Sequence, residues 1–237
     1  MTQKPFQKTA DFLSQIPDWE ESYKNSDELD IHYEKKDWKD AEASFTDHDL
    51  RILGEAVMED WETPYMQELA NIACMQGGVI LELGYGMGIS ARFIQEHDIT
   101  KHIIIEANAA VAEKAREFAK NAPHETVVLE GLWEDVIDQV PDGSIDGILF
   151  DTYPLTEEEV YQNHFNFFQV AYLKLKTGGI FTYYSDEIDR FGNVHLKKLQ
   201  EAGFALENIK SKVTPINPPA ECEYWKAKTI LSPIIIK

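Results

Sequence analysis

Two acidic residues and three glycines have the spacing of a nucleoside-binding turn. Glu82 lies at the end of an apolar run, and Gly84, Gly86 and Gly88 follow at intervals of two residues. Glycines at such a turn let the backbone bend sharply and approach a ligand that a Cβ atom would keep away. Glu106 ends the next apolar run, where a carboxylate can accept hydrogen bonds from a ribose diol. The segment therefore predicts a nucleoside-cofactor site on a doubly wound sheet.

The glycine spacing narrows the choice of cofactor. A dinucleotide fingerprint G-x-G-x-x-G starting at Gly84 would need its third glycine at the position of Ile89. The pattern E-x-G-x-G-x-G resembles instead the nucleotide-binding motif of class I S-adenosylmethionine-dependent methyltransferases. A sulfonium is a cation and favours a nearby carboxylate such as Glu82, whereas pyrophosphate prefers the N–H donors of a helix N-terminus. Taken alone, a glycine-rich segment could also be only a tight strand-to-helix turn.

Composition limits the classes of partner. The chain has 237 residues and a formal net charge of −20, and such a charge repels phosphates, so we expect no nucleic-acid partner. The same field would attract a cationic substrate, although it could serve only solubility. The seven histidines and two cysteines form no metal-ligand pattern, so we expect no metal. The composition indicates no oligomeric state.

Cysteine usage and hydropathy indicate a compartment. Cys74 and Cys222 cannot make a disulfide framework, which is consistent with a reducing cytoplasm. The N-terminus lacks the apolar core of a signal peptide, and no apolar run approaches the ~20 residues that a membrane span needs. We therefore expect a cytoplasmic protein without a membrane partner.

Strand and helix patterns alternate from residue 78 onward, which predicts an α/β domain at residues 51–237 behind an N-terminal helical cap or lid at residues 1–50. The expected sheet is seven-stranded, mostly parallel and doubly wound, and the resemblance to class I methyltransferases implies that its last strand is antiparallel. Pro233 lies inside that last strand and predicts a bulge, because proline lacks a ladder donor. A helix broken near Pro64 is predicted over residues 51–75. The predicted strands are 79–83, 101–105, 126–130, 147–150, 179–184, 209–213 and 229–236, and the other predicted helices are 89–96, 110–121, 157–173 and 194–202.

Four further segments point to one family. They are RILGEAVMEDWETPYM at 51–66, LEGLWEDV at 129–136, DGILFDTYPL at 146–155 and NPPAECEYW at 217–225. Together with the glycine motif they resemble guanidinoacetate N-methyltransferase, the creatine-forming enzyme. The resemblance implies S-adenosylmethionine as the cofactor and a guanidino group as the methyl acceptor.

Asp151 ends the fourth strand, at the sheet edge where open α/β folds bind their ligands. A guanidinium matches a carboxylate bidentately, and a carboxylate can orient its nitrogen and take up its proton. The resemblance implies this catalytic role for Asp151, and for Glu62 a grip on the other side of the guanidinium. The alternatives are a helix cap for Asp151 and a solvated acid before Pro64 for Glu62.

The resemblance also implies further cofactor contacts. Leu132 and Trp133 match positions that contact adenine, although a Trp after a strand is often core or lid. Met58 and Met66 match positions that line the cofactor, although methionines at this spacing are often core filler. An aromatic residue, Trp38 or Phe45, is expected to close over the site. The cofactor-binding set is thus Met58, Met66, Glu82, Gly84, Gly86, Gly88, Glu106, Leu132, Trp133 and Asp151.

One loop departs from the family pattern. After the fifth strand the family has a largely uncharged loop whose N–H groups hold the substrate carboxylate, but this chain places Asp186 and Glu187 there. Two added negative charges disfavour a carboxylate in a partly desolvated site. Arg190 could compensate, or the distal end of the substrate could be neutral or cationic.

The sequence therefore predicts methylation of a guanidino nitrogen in a guanidinoacetate-like small molecule. One alternative is methylation of arginine, free or within a protein, because fungal arginine methyltransferases share the glycine motif and an acid at the tip of the fourth strand. Another is a methyltransferase fold retained as a non-catalytic binding module. The substrate-binding candidates are Glu62, Asp151, Asp186 and Glu187.

Overall fold

The computed structural model describes residues 35–156, 159–160, 162–222 and 224–237. The described strands form one sheet of three strands and one of seven. The strands are β1 (Ala43–Phe45), β2 (Asp49–Ile52), β3 (Glu55–Glu59), β4 (Gly78–Leu83), β5 (Ile99–Glu106), β6 (Glu125–Glu130), β7 (Ile145–Phe150), β8 (Leu175–Tyr183), β9 (Ile209–Pro215) and β10 (Thr229–Ile236).

The large sheet has the strand order β6-β5-β4-β7-β8-β10-β9. Strand β10 is antiparallel to both its neighbours, and the pairs from β6 to β8 are parallel. The prediction of a seven-stranded, mostly parallel sheet is thereby confirmed. The α-helices are α1 (Lys35–Asp40), α2 (Thr63–Ala73), α3 (Ile89–Ile94), α4 (Ala109–Asn121), α5 (Trp133–Val136), α6 (Asn163–Lys174) and α7 (Asn193–Glu201).

Buried side chains cover both faces of the large sheet. One cluster packs α2 and α3 against the sheet and includes Leu69 and Ile104. The other packs α6 against it and includes Phe168 and Phe181. A parallel strand that is covered on both faces has a nearly continuous run of apolar residues. Such runs could therefore be recognised in the sequence.

The small sheet corrects one prediction, since residues 51–59 form strands rather than helix. Strands β2 and β3 make an antiparallel hairpin in which Ile52 pairs with Glu55. Leu53 and Gly54 form its turn with φ values of 56° and 90°, a conformation that helix cannot accommodate. Helix α2 begins only at Thr63.

Pro233 corrects a second prediction, because the pairing of β9 with β10 continues through it without a bulge, opposite Ser211. Successive residues of a strand turn their N–H groups to opposite sides. The N–H of Leu231 points to the β8 side of β10 and donates to the backbone oxygen of Glu187. The nitrogen of Pro233 points to the same side, and β10 pairs with β8 only from Ile235 onward. The missing donor of Pro233 therefore faces a gap in the ladder.

Several boundaries also differ from expectation, and β8, for example, begins at Leu175 rather than at residue 179. Helix α6 begins at Asn163, after the non-helical Gln162, rather than at residue 157. Of the predicted cap, residues 1–34 lie outside the described residues; the rest includes α1 and β1, and strand β2 crosses the predicted division between residues 50 and 51. Among the described helices, none is long and apolar enough to span a membrane.

Candidate active site

A cleft opens at the carboxyl ends of β4, β5, β7 and β8, and the small sheet forms one of its walls. Nine predicted site residues line this cleft: Met58, Glu62, Gly84, Gly86, Glu106, Leu132, Trp133, Asp151 and Asp186. Four others do not line it, namely Met66, Glu82, Gly88 and Glu187. The structure thus brings together most of the residues chosen from the sequence, from six separate segments of the chain.

The glycine turn after β4 packs too tightly for side chains. Gly84 has a φ of 85°, and a Cβ atom there would lie 1.9 Å from the backbone oxygen of Asp151. Gly86 has a φ of 53°, and its Cβ would lie 2.8 Å from the sulfur of Met58. The first glycine therefore lets the ends of β4 and β7 meet, and the second lets β3 cover the turn.

Glu106 holds the same turn from the end of β5. Its Oε2 accepts a hydrogen bond from the backbone N–H of Tyr85, and its Oε1 accepts one from Asn108, each at 2.8 Å. Burial raises the pKa of Glu106, while these backbone donors oppose the rise. The carboxylate is thus positioned at the cleft by the chain itself, with acceptor capacity left for a ligand.

Glu82 lies beneath the cleft rather than on its wall. The side chain is fully buried, accepts a hydrogen bond from the hydroxyl of Ser90, and has its Oε2 3.0 Å from Nε2 of His102. Its charge acts on the cleft through Asp151, whose pKa it helps to raise. A direct contact of Glu82 with a sulfonium stays a prediction.

The other two predicted cofactor residues away from the cleft have packing positions. Met66 is fully buried in the core on α2, which matches the alternative interpretation of core filler. Gly88 has a φ of 68° and precedes α3, where a Cβ would meet the ring of Tyr85. Neither of them lines the cleft.

Aromatic side chains border the cleft. Trp133 begins α5 and packs edge-on against Phe150 and Phe167, at ring-centre distances of 6.5 and 5.2 Å, while still lining the cleft. Trp38 and Tyr153 also line the cleft, and their rings stack at 4.7 Å with an interplanar angle of 11°. Of the two expected lid residues, Trp38 lines this cleft and Phe45 does not.

Glu62 is a buried carboxylate, with only 4% of its surface exposed. It lies in the 3-10 turn Asp60–Glu62 before α2, and its Oε1 accepts hydrogen bonds from the backbone N–H of Glu59 at 2.8 Å and from the hydroxyl of Tyr224 at 2.7 Å. Burial, together with the charge of Asp151, raises its pKa to about 8. The alternative interpretation as a solvated acid is therefore wrong.

Asp151 follows β7 and is half-buried, with its backbone N–H bonded to the oxygen of Leu83 at 2.9 Å. Burial, with the charge of Glu82 as a second cause, raises its pKa to about 7. Helix α6 begins twelve residues later, at Asn163, so Asp151 does not cap it. Two carboxyls with raised pKa values in one cleft are typical of a functional site.

Asp186 and Glu187, predicted as a pair, point to different places. Asp186 lines the cleft and has a φ of 54°, in the left-handed region. Glu187 turns into the core, where its Oε1 accepts a hydrogen bond from the N–H of Gly192 at 3.1 Å and lies 3.0 Å from Nδ1 of His195. Glu187 therefore supports the start of α7 and does not line the cleft.

The charged residues that line the cleft, among those described, are all acidic. Its described lining includes seven acids and neither lysine nor arginine, so a cation is favoured there and an anion is not. Within the described residues, no cluster of three or more histidine, cysteine or acidic side chains is arranged to hold a metal ion. The lining acids are Glu55, Glu62, Glu106, Glu134, Asp151, Glu159 and Asp186.

Sequence reasoning missed several residues of the cleft. Tyr224 bonds Glu62 from a segment 162 residues away, and Tyr184 lines the cleft with a buried hydroxyl that has no hydrogen-bond partner in the described part of the chain. The NPPAECEYW segment contains Tyr224, so the resemblance could have identified it. Periodicity offers no signal for either tyrosine.

The guanidinoacetate N-methyltransferase family model matches residues 30–237, which is most of the chain. The chain belongs to the guanidinoacetate N-methyltransferase family. The resemblance noted from the sequence segments is thus confirmed, and the match includes every element described above.

Curated relatives in this comparison are proteins named protein arginine N-methyltransferase 2. The protein from Kluyveromyces lactis is 34% identical over 138 residues, covering 55% of this chain and 33% of the relative. The one from Candida glabrata is 31% identical over 182 residues, covering 73% of this chain and 43% of the relative. This family member thus spans less than half the length of these relatives.

Solved structures share the fold at low sequence identity. Spermidine synthase from Thermotoga maritima has a TM-score of 0.58 at 16% identity, covering 82% of this chain and 72% of that one. M. jannaschii TYW2, solved in complex with AdoMet, has a TM-score of 0.51 at 12% identity, covering 84% and 85%. At such identities the likeness shows only that this family member has a class I methyltransferase-like fold.

Proposed function

We propose that this protein transfers a methyl group from S-adenosylmethionine to a guanidinium nitrogen, and that the acceptor is an arginine guanidino group. The observation that supports this most directly is the pair of acids Glu62 and Asp151. Both line the cleft that also contains the glycine turn, and their charges interact strongly enough for Asp151 to raise the pKa of Glu62. A planar cation between them would relieve that repulsion.

The cleft residues fit S-adenosylmethionine. Gly84 and Gly86 leave a surface without side chains, Glu106 presents a carboxylate suited to a ribose diol, and Leu132 with Trp133 offers an apolar border for a base. When bound, the cofactor would supply an electrophilic methyl group on a sulfonium. The acidic lining suits that positive charge, because opposite charges attract strongly where water is scarce.

The two acids would have different roles, Glu62 in positioning the guanidinium and Asp151 in accepting its proton. Glu62 is held by Tyr224 and by a backbone N–H, so it can keep one edge of the planar group in place. The pKa of Asp151 is raised to about 7, close to neutral pH. Its carboxylate can therefore accept the proton that the guanidinium nitrogen loses when this nitrogen bonds to the methyl carbon. In the same displacement the methyl group would leave the sulfur of the bound cofactor, and the positioning of the guanidinium by Glu62 and Asp151 would supply much of the rate gain.

Two observations favour arginine over guanidinoacetate as the acceptor. The curated relatives are named as protein arginine methyltransferases, and the described lining offers no lysine or arginine to pair with a carboxylate near the guanidine. Guanidinoacetate stays the second candidate because the family carries its name. We also propose, from charge and cysteine usage, a cytoplasmic protein without nucleic-acid or membrane partners.

The test is to incubate the full chain with S-adenosylmethionine and a panel of guanidines, and to detect methylated products by mass spectrometry. The panel contains an arginine peptide, free arginine and guanidinoacetate. We expect methylation of the peptide or of free arginine, and the two arms separate these acceptors. Methylation of guanidinoacetate alone would restore the second candidate. Cofactor binding without methylation of any guanidine would overturn the proposal.

A further inference from the structure

Asp186 is held firmly at the cleft wall by the residues on either side of it. The hydroxyl of Ser185 donates to the backbone oxygen of Leu231 at 2.7 Å and accepts from the N–H of Glu187 at 3.2 Å. The N–H of Leu231 donates in turn to the backbone oxygen of Glu187 at 2.7 Å. With both neighbours tied to β10, the left-handed backbone of Asp186 presents its side chain to the cleft.

A buried histidine lies behind this carboxylate. His164 is fully buried, and neither of its ring nitrogens has a hydrogen-bond partner in the described part of the chain. Its Nδ1 lies 3.8 Å from Oδ2 of Asp186, and its ring stacks on Tyr183 at 5.0 Å. An unsatisfied buried nitrogen is costly, so a small approach of Asp186 that completes this bond is favourable.

His164 is a neutral neighbour of Asp186 and adds no positive charge that would cancel a charge on it. Burial, with His195 as a second cause, holds the pKa of His164 well below its usual value. A neutral imidazole can donate an N–H without cancelling the charge of its acceptor. Burial and the charge of Asp151 raise the pKa of Asp186, and a bound cation opposes that rise because attraction favours the charged form.

We infer that Asp186, positioned by His164, is a specificity-determining residue that rejects guanidines with a carboxylate close to the guanidinium and accepts neutral or cationic ones. This inference rests on the proposed function and deepens it by naming the substrate class. A like charge at close range in a poorly solvated cleft costs about tenfold or more in binding. Glu187, turned into the core, has no such part.

The experiment compares three guanidines of similar length that differ in the charge of the end distal to the guanidinium: guanidinoacetate, with an anionic end, propylguanidine, with a neutral end, and 2-aminoethylguanidine, with a cationic end. We expect the wild-type kcat/KM to be at least about tenfold lower for the anionic compound than for the neutral one. Asp186→Asn should reduce the ratio of kcat/KM for the neutral compound to kcat/KM for the anionic one by about tenfold. It should also lower kcat/KM for the cationic compound relative to the neutral one. Asparagine adopts the left-handed conformation readily, so the loop should persist.

Two further variants separate charge selection from structural damage. Asp189→Asn removes the same charge from an exposed loop position three residues away, and the ratio should stay at its wild-type value. His164→Phe keeps a ring in the stack but removes the nitrogens, and it should reduce the ratio partway while the neutral guanidine is still methylated. Asp186→Gly provides a second charge-free residue suited to the positive φ.

The outcomes are distinct. If the wild type methylates a guanidine but Asp186→Asn and Asp186→Gly keep the wild-type ratio, the inference is overturned and the proposed function survives. If His164→Phe lowers only the thermal stability and leaves the ratio intact, the positioning role of His164 is overturned. If the wild type methylates no guanidine, the proposed function fails and the inference fails with it.

Discussion

The hydroxyl of Tyr224 donates a hydrogen bond to Oε1 of Glu62 at 2.7 Å, joining two segments of the chain that both line the cleft. The bond favours the charged form of Glu62, whereas burial and the charge of Asp151 favour the neutral form. Tyr224 therefore helps to keep a buried carboxylate able to bind a cation.

Replacement of Tyr224 by phenylalanine should weaken the binding of the guanidinium by Glu62. Loss of one hydrogen bond to a charged group costs about 1.5–3 kcal/mol at most, so we expect kcat/KM for an arginine substrate to fall about tenfold. The pKa of Glu62 should rise further, which moves the acid limb of the pH–rate profile to higher pH. Tyr172→Phe, away from the cleft against Phe204, is the control. An unchanged profile in Tyr224→Phe would contradict the assignment.

Stability and activity should depend on pH in opposite directions. The folded-state pKa of Glu62 is raised from 4.5 to about 8, so the folded protein keeps a proton that the unfolded chain releases. The free energy of unfolding therefore falls as pH rises through this interval and levels off above it, by up to about 5 kcal/mol from this group. Asp151 acts in the same direction. Binding of a guanidinium needs the ionised acids, so kcat/KM should rise with pH.

Denaturant unfolding of the ligand-free protein at several pH values tests this dependence. Glu62→Gln cannot titrate at this position, so its decline between about pH 5 and pH 8 should be shallower than that of the wild type. Buried groups away from the cleft titrate equally in both proteins, so the difference reports Glu62 together with its charge interaction with Asp151. Parallel curves for the two proteins would show that Glu62 is not a buried acid with a raised pKa.

Much of the fold was predictable because its signals are local. Strands β4 and β5 are apolar runs ended by acids, and the glycines after β4 mark a turn that structure confirms by their positive φ values. The hairpin of β2 and β3 was missed because Glu55 and Ala56 favour helix as isolated residues. The alternation of buried Leu50 and Ile52 with exposed Arg51 and the following Gly54 was the signal for strands.

From local patterns alone, the site was predictable only where a residue ends a strand, whereas Glu62, Leu132 and Trp133 were predicted from the family resemblance. Asp151 and Glu106 could be assigned to the cleft because carboxyl ends of parallel strands share one edge. Asp186 and Glu187 could not be told apart, since their different directions depend on a left-handed backbone at Asp186. The partners Tyr224 and His164 come from distant segments, and their contacts depend on tertiary packing that no local pattern records.

The glycine turn predicts a contrast between two alanine substitutions. Gly84→Ala places a Cβ 1.9 Å from the backbone oxygen of Asp151, whereas Gly143→Ala, at a φ of 61°, meets nothing within 4 Å. Both introduce strain of about 1 kcal/mol from the left-handed conformation, but only the first must displace the cleft. We expect Gly84→Ala to lower the affinity for S-adenosylmethionine by more than about tenfold. Equal affinities in the two variants, measured by calorimetric titration, would contradict this interpretation.

The central claim is that Asp151 orients the guanidinium and accepts its proton. The most direct measurement compares Asp151→Asn with the wild type for S-adenosylmethionine affinity by titration and for single-turnover methylation of an arginine peptide. Asp138→Asn, an exposed acid outside the cleft, serves as the matched control. The account predicts an affinity within about threefold of wild type and a methylation rate lower by at least about a hundredfold. A near-normal rate in Asp151→Asn would contradict it.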